Sequence, residues 1–254
     1  MEDTGKVERR DFLKYLGAVA GMTWTAGSVS RHEDIDSDGL TDYEEGKHLQ
    51  EHIEDIYGEE QFEGLHPGEP DLLIDSIYVE GTREMQDQHI RWAEQYFEDE
   101  MDIHAQFLER PDRVPREVYD DYGVSVDALV GEGGLYDDHL QNGMEENAHQ
   151  LLFIPDDTVK RHGLVQQDED NKFAGYNLES ESVITSLDSD LYRFKIALHE
   201  LGHSLGLDHV PEEDAAKGRI MTDSAGYVDS LDQLHFTERE QELIRDNLQQ
   251  VTDT

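Results

Sequence analysis

The run His199-Glu200-Leu201-Gly202-His203-Ser204-Leu205-Gly206-Leu207-Asp208-His209 constrains this chain more than any other feature. Leu191, Phe194, Leu198, Leu201 and Leu205 are spaced 3, 4, 3 and 4 residues apart, which makes one apolar stripe along an α-helix. At about 100° per residue, His199 and His203 lie roughly 130–170° around from the centre of that stripe. One face of the helix therefore enters the core, and the two imidazoles project together from the other. Their i, i+4 spacing sets them one turn apart, close enough to share a metal ion. Gly206 is able to take the positive φ that ends a helix, so the chain turns and His209 can return to the same ion. Three neutral imidazoles leave a fourth position open, the arrangement of a catalytic rather than a structural zinc. Glu200 adjoins the first ligand and is too close along the helix to be a natural third one. Its expected role is general base.

These residues match His-Glu-x-x-His-x-x-Gly-x-x-His, and in them the sequence resembles the metzincin clan of zinc metalloproteases. That clan carries a methionine turn downstream of the third histidine; Gly218-Arg219-Ile220-Met221-Thr222 supplies Met221 at the corresponding place. The resemblance implies an α+β, zincin-like catalytic domain: a twisted mixed sheet over two long helices, with the zinc cleft between an upper and a lower subdomain. It implies an endopeptidase acting on protein or peptide substrates with zinc as its catalytic cofactor. The substrate would lie extended along a sheet edge, and Ser224, Ala225, Gly226, Tyr227 and Val228 would wall the pocket beside the metal. Some relatives place a tyrosine two residues after the turn methionine; Asp223 stands there, so no tyrosine ligand is implied. Cysteine is absent, which excludes latency by a cysteine switch and the cysteine-rich second zinc site of archaeal metzincins. A thermolysin-type site with a downstream glutamate ligand is disfavoured by Gly206 and His209. The rival from another class is a non-catalytic, calcium-dependent surface-binding protein on the same scaffold, which would have no need of Glu200.

The N-terminus reads Glu8-Arg9-Arg10-Asp11-Phe12-Leu13-Lys14, followed by a Gly/Ala-rich apolar stretch, and resembles a twin-arginine export signal. Residues 1–30 are expected to be that signal, and the protein to be secreted, in solution or at the cell surface. Next comes Asp34-Ile35-Asp36-Ser37-Asp38-Gly39-Leu40-Thr41-Asp42-Tyr43-Glu44-Glu45. Calcium takes six to eight oxygens, and this run has the spacing of a calcium loop. Asp34, Asp36 and Asp38 supply carboxylates, Leu40 a carbonyl, Asp42 a ligand directly or through water, and Glu45 two oxygens. Gly39 permits the sharp turn. The run resembles thrombospondin-type-3 and EF-hand-like loops, and calcium there would be structural.

Sixty-one acidic residues against twenty basic ones give a formal charge of −41, spread along the whole chain. Such a surface repels nucleic acid and anionic membranes. It resembles secreted proteins of halophilic archaea; at molar salt the Debye length is about 3 Å, which screens the self-repulsion. No stretch is apolar for long enough to span a membrane, and the protein is expected to be a monomer.

Residues 31–69 read as the calcium loop and a linker containing a short helix, and 70–254 as the catalytic domain. Within it, Leu72–Ile74 and Ile77–Val79 predict a strand, and Met85, His89, Trp92, Tyr96 and Met101 recur at helical spacing. Ile103, Ala105 and Phe107 alternate as a second strand. Leu151–Ile154 and Val183–Ile184 read as buried strands, with a long helix from about Asp188. The stretch from Pro111 to Ala148 has no readable period. Thr237 with Glu240 forms a capping box for a last helix ending near Gln250. His89, His104, His149 and His235 lack ligand spacing and read as packing or surface residues.

Overall fold

The structure, a computed structural model, describes residues 47–250 apart from 59, 66–69, 123–125, 131–132, 145–146, 156–174, 179–180, 186–188, 211–217 and 223–227. The expected signal, the loop Asp34–Glu45, Asp223 and the stretch Ser224–Tyr227 lie outside the described residues. The described elements are α1 (Lys47–Tyr57), β1 (Asp71–Tyr78), α2 (Asp87–Met101), β2 (His104–Glu109), α3 (Arg116–Tyr122), the one-turn α4 (Val126–Leu129), β3 (His149–Ile154), β4 (Gly175–Leu178), β5 (Glu181–Thr185), α5 (Asp190–Ser204) and α6 (Glu238–Gln250). A π-helical turn spans Tyr136–Leu140 and a 3₁₀ turn Leu231–Gln233. No helix among the described residues is long and apolar enough to cross a membrane.

The strands form one five-stranded sheet in the order β2-β1-β3-β5-β4. β1 pairs parallel with β2 and β3, β3 pairs parallel with β5, and β4 closes the edge antiparallel to β5. A parallel sheet must be covered on both faces, and every residue of β1 is buried. Side-chain alternation sorts the strands cleanly. Leu72, Ile74, Ala105, Phe107, Leu151, Phe153 and Ile184 face α2 and α5 in the main core, which also takes Phe97, Phe194, Leu198, Leu201 and Phe236. Ile77, Leu152, Ile154 and Val183 face the other way, against Tyr119, Leu135 and Tyr136.

That second face is where the reading of residues 46–70 as a linker needs amending. Ile53 and Tyr57 of α1, with Phe62 and Leu65, cover Leu73 and Leu108 of the sheet. His52 also places a ring nitrogen 3.1 Å from the Asn142 carbonyl. α1 is thus part of the catalytic domain's packing.

Under the same face lies a buried ion pair. Asp75 of β1 has a fully buried side chain and accepts from Nε of Arg110 at 3.0 Å, with Nη2 forming the second arm of the fork. Gln150 of β3 reaches the same carboxylate at 3.4 Å. The pair ties the segment after β2 to the middle of the sheet.

The remaining expected elements stand where the periodicity puts them. The capping box at α6 is closed from both sides: Thr237 N–H donates to Glu240 Oε2 at 2.6 Å, and Glu240 N–H points at Thr237 Oγ1 at 3.4 Å. Strand β4 was not announced by the sequence, nor were the helices within Pro111–Ala148. Gly-Tyr-Asn-Leu is only four residues long, with a glycine and an asparagine among them.

Candidate metal centre

Helix α5 is fixed at both ends before it presents a ligand. Ser189 caps its start, Oγ accepting from Tyr192 N–H at 3.3 Å. Arg193 in the first turn is buried and donates to the carbonyls of Arg83 and Glu84 at 2.6 and 2.5 Å, anchoring the helix to the segment before α2. The C-terminus is a Schellman motif: Gly206 N–H donates to His203 O and Leu207 N–H to Gly202 O, both at 2.9 Å. Gly206 has φ +84°, the left-handed conformation this motif needs. Asn247 of α6 donates to Leu205 O at 2.9 Å and holds the turn from outside.

The turn brings the three histidines together. His199 Nε2 lies 3.1 Å from Nε2 of both His203 and His209, and those two are 2.8 Å apart. They are the only such group of potential ligands among the described residues. His199 is buried, His203 half-buried and His209 exposed, so the group opens to solvent on the His209 side.

The second ring nitrogens explain why Nε2 is the one presented. His199 Nδ1 donates to Ile220 O at 2.8 Å, and His203 Nδ1 to Leu207 O at 2.7 Å. A carbonyl only accepts, so each Nδ1 keeps its proton and leaves Nε2 with a bare lone pair. Burial pushes the His199 ring down to about 4, with His203, His209 and Lys195 adding to the effect. The ring is therefore neutral at pH 7, the metal-binding form. Three ring nitrogens brought this close suit a single cation, and an all-imidazole donor set with one open side suits zinc.

Beneath the group lies Met221, fully buried. Its approach requires Gly202. A Cβ there would sit 3.3 Å from both Met221 Cε and Phe236 Cε1 and far too close to Met221 Sδ. The methionine turn also holds the triad through its backbone, since Ile220 O accepts from His199 Nδ1 and Met221 O accepts from Val210 N–H at 2.9 Å. Thr222 closes the turn, its hydroxyl donating to Arg219 O at 3.0 Å. Lys195, one helical turn before His199, is buried and places Nζ 3.3 Å from Thr222 Oγ1. Burial lowers its ammonium pKa.

Glu200 is 5 % exposed, and burial raises its carboxyl to about 8. A cation in the triad would pull the other way and favour the carboxylate.

The family model described as matrixin, a peptidase family, matches residues 131–238, a span that holds all three histidines, Glu200 and Met221. This chain is a zinc metallopeptidase. The match covers under half of the metallopeptidase's 254 residues and leaves out β1, α2 and β2. No curated protein matches the chain. Among solved structures, an archaemetzincin from Methanopyrus kandleri is similar at 17 % identity and TM-score 0.42, over 70 % of this chain and 96 % of that one. A zinc-dependent peptidase from Methanocorpusculum labreanum is similar at 12 % identity and TM-score 0.35, over 67 % and 99 %. Both likenesses are too distant to bear on the metallopeptidase's chemistry.

Among the described residues, no other histidine joins the centre. His89 stacks on Phe194 with ring centroids 5.1 Å apart, and His104 pairs with Asp71. His235 bonds the Gln233 carbonyl, and His149 opens β3. Val228, the one described residue of the expected pocket wall, packs half-buried against the main core. Sequence reasoning missed the roles of Gly202 and Lys195. The available signal for Gly202 was a glycine inside a helix, which costs about 1 kcal/mol against alanine and so calls for a packing reason.

Proposed function

We propose that the metallopeptidase is a secreted endopeptidase in which Glu200 is the general base. One observation carries this reading: the Nε2 atoms of His199, His203 and His209 lie within 3.1 Å of one another, and the helix that holds the first two also holds the buried Glu200 carboxyl one residue from His199. His199, His203 and His209 would hold zinc, which supplies Lewis acidity to a water and to the scissile carbonyl. Glu200 takes a proton from that water as its oxygen forms a bond to the carbonyl carbon. It then gives the proton to the nitrogen as the C–N bond breaks, so the amine leaves neutral and the base is regenerated. A buried carboxyl suits both steps, because it does not exchange its proton freely with solvent. The competing reading, a binding protein on the same scaffold, leaves a buried ionisable side chain without a purpose.

The test is casein hydrolysis in molar salt. Activity should vanish with a chelator and return with about one equivalent of zinc; hydrolysis that persists in the chelated protein would remove the metal from the reaction.

The loop Asp34–Glu45 is proposed to bind structural calcium through Asp34, Asp36, Asp38, Leu40, Asp42 and Glu45, on the spacing alone. Asp36→Ala should lower the melting temperature in the presence of calcium and leave it unchanged without calcium. Identical melting of variant and wild type in both conditions would dismiss the loop as a site. Export is proposed to run through Arg9 and Arg10. Replacing both with lysine should keep the protein inside the cell, and undiminished protease in the medium would point to another route.

A further inference from the structure

We propose that Gly175, on the edge strand β4, is a positioning residue for Glu200, the absent side chain being the space in which the carboxyl stands. This rests on the reading of Glu200 as general base. A Cβ built on Gly175 would lie 2.6 Å from Glu200 Cγ and 2.7 Å from Cδ, and closer still to Oε1. Real carbon atoms do not approach so closely, so any side chain at 175 must displace the Glu200 side chain. The backbone does not require glycine here. The φ of Gly175 lies outside the left-handed range, and the residue pairs in ordinary antiparallel register with Ile184. Glycine in a strand with normal φ points to a close approach instead.

A second contact fixes the strand against the helix. Two residues along β4, on the same side, Asn177 Nδ2 donates to Ser204 Oγ at 2.7 Å and to Ser182 Oγ at 3.0 Å. Ser204 follows Glu200 by four residues. Strand positions i and i+2 thus meet helix positions i and i+4, and neither chain can slide to relieve a clash at 175. Glu200 is 5 % exposed, so the displaced carboxyl has to leave a buried seat. Its place beside the triad is therefore set from the sheet edge as well as from its own helix.

Gly175→Ala should retain wild-type zinc content, because no triad contact is touched. Its kcat should fall about 10- to 100-fold with KM nearly unchanged, the scale expected when a reacting group is misplaced by about 1 Å. The same substitution should cost less than about twofold of the residual kcat in an E200A background, where no Cγ remains to meet the new Cβ. A readout independent of turnover is the melting temperature of the zinc-free chain. In an E200A background G175A should raise it, as Gly→Ala does at an unstrained position, and in wild type it should raise it less or lower it. Equal fractional kcat losses in the wild-type and E200A backgrounds, or equal melting shifts in those two, would overturn the proposal, as would a rise in KM at constant kcat. Full activity of E200A would instead strike down the general-base reading itself, whatever G175A does.

Discussion

Glu200→Ala should lower kcat on casein by about 10²–10⁴-fold, the range expected if it is the general base, and should leave one zinc bound per chain. The expectation follows from a division of labour in the site. The rings of His199 and His203 are oriented by Ile220 O and Leu207 O, and neither contact involves Glu200. Removing the carboxyl should therefore leave the metal in place and take away only the acceptor for the water's proton. Zinc content by elemental analysis and turnover should be measured on one preparation in molar salt. A variant that loses zinc in step with activity would give Glu200 a structural part, and one that keeps wild-type turnover would place the base elsewhere.

Asp75→Ala carries the largest expected cost in stability, about 3 kcal/mol, because it strands the Arg110 guanidinium against a buried wall with no countercharge. The Asp75 side chain is fully buried and that of Arg110 is 12 % exposed, which puts the value at the lower end for a broken buried pair. For a domain of this size that is a fall of roughly 6–12 °C in melting temperature. Asp75→Ala with Arg110→Met should recover most of it, since removing both charges leaves neither one stranded. A double variant as unstable as the single would mean that Asp75 acts through Gln150 and the strand rather than through the ion pair. The zinc triad lies across the sheet among the residues of the opposite face, so activity per folded molecule should be unaffected.

Much of this architecture was written in periodicity. The 3-4-3-4 stripe from Leu191 to Leu205 gave α5, its buried face and the common side of His199 and His203. Alternation gave β2, the continuous apolar run Leu151–Ile154 gave β3, and the Thr237–Glu240 pair gave the start of α6. What escaped was of two physical kinds. Some contacts depend on a residue being small, as with Gly175 against Glu200 and Gly202 against Met221, and one glycine looks like another until the neighbour is seen. Others depend on charges being buried. Nothing in the sequence marks Arg193 and Lys195 as buried, yet each is 1 % exposed. Helix α1 was legible in Leu49, Ile53 and Tyr57, one turn apart each time, but the acidic residues between them made the segment read as a spacer.

The order of the sheet has a consequence for anyone who would cut the enzyme down. β1 sits between β2 and β3, with its ladder to β3 running from Ile74–His149 to Tyr78–Phe153. The span that matches the peptidase family begins after β1 and β2 are already complete. A polypeptide excised to that span would hold His199, Glu200, His203, His209 and Met221. It would also present β3 as a raw edge, with unpaired backbone donors and acceptors beside Leu151, Leu152 and Phe153, the kind of edge that recruits another chain. The stretch that can be recognised and the stretch that can fold are different lengths of the same molecule.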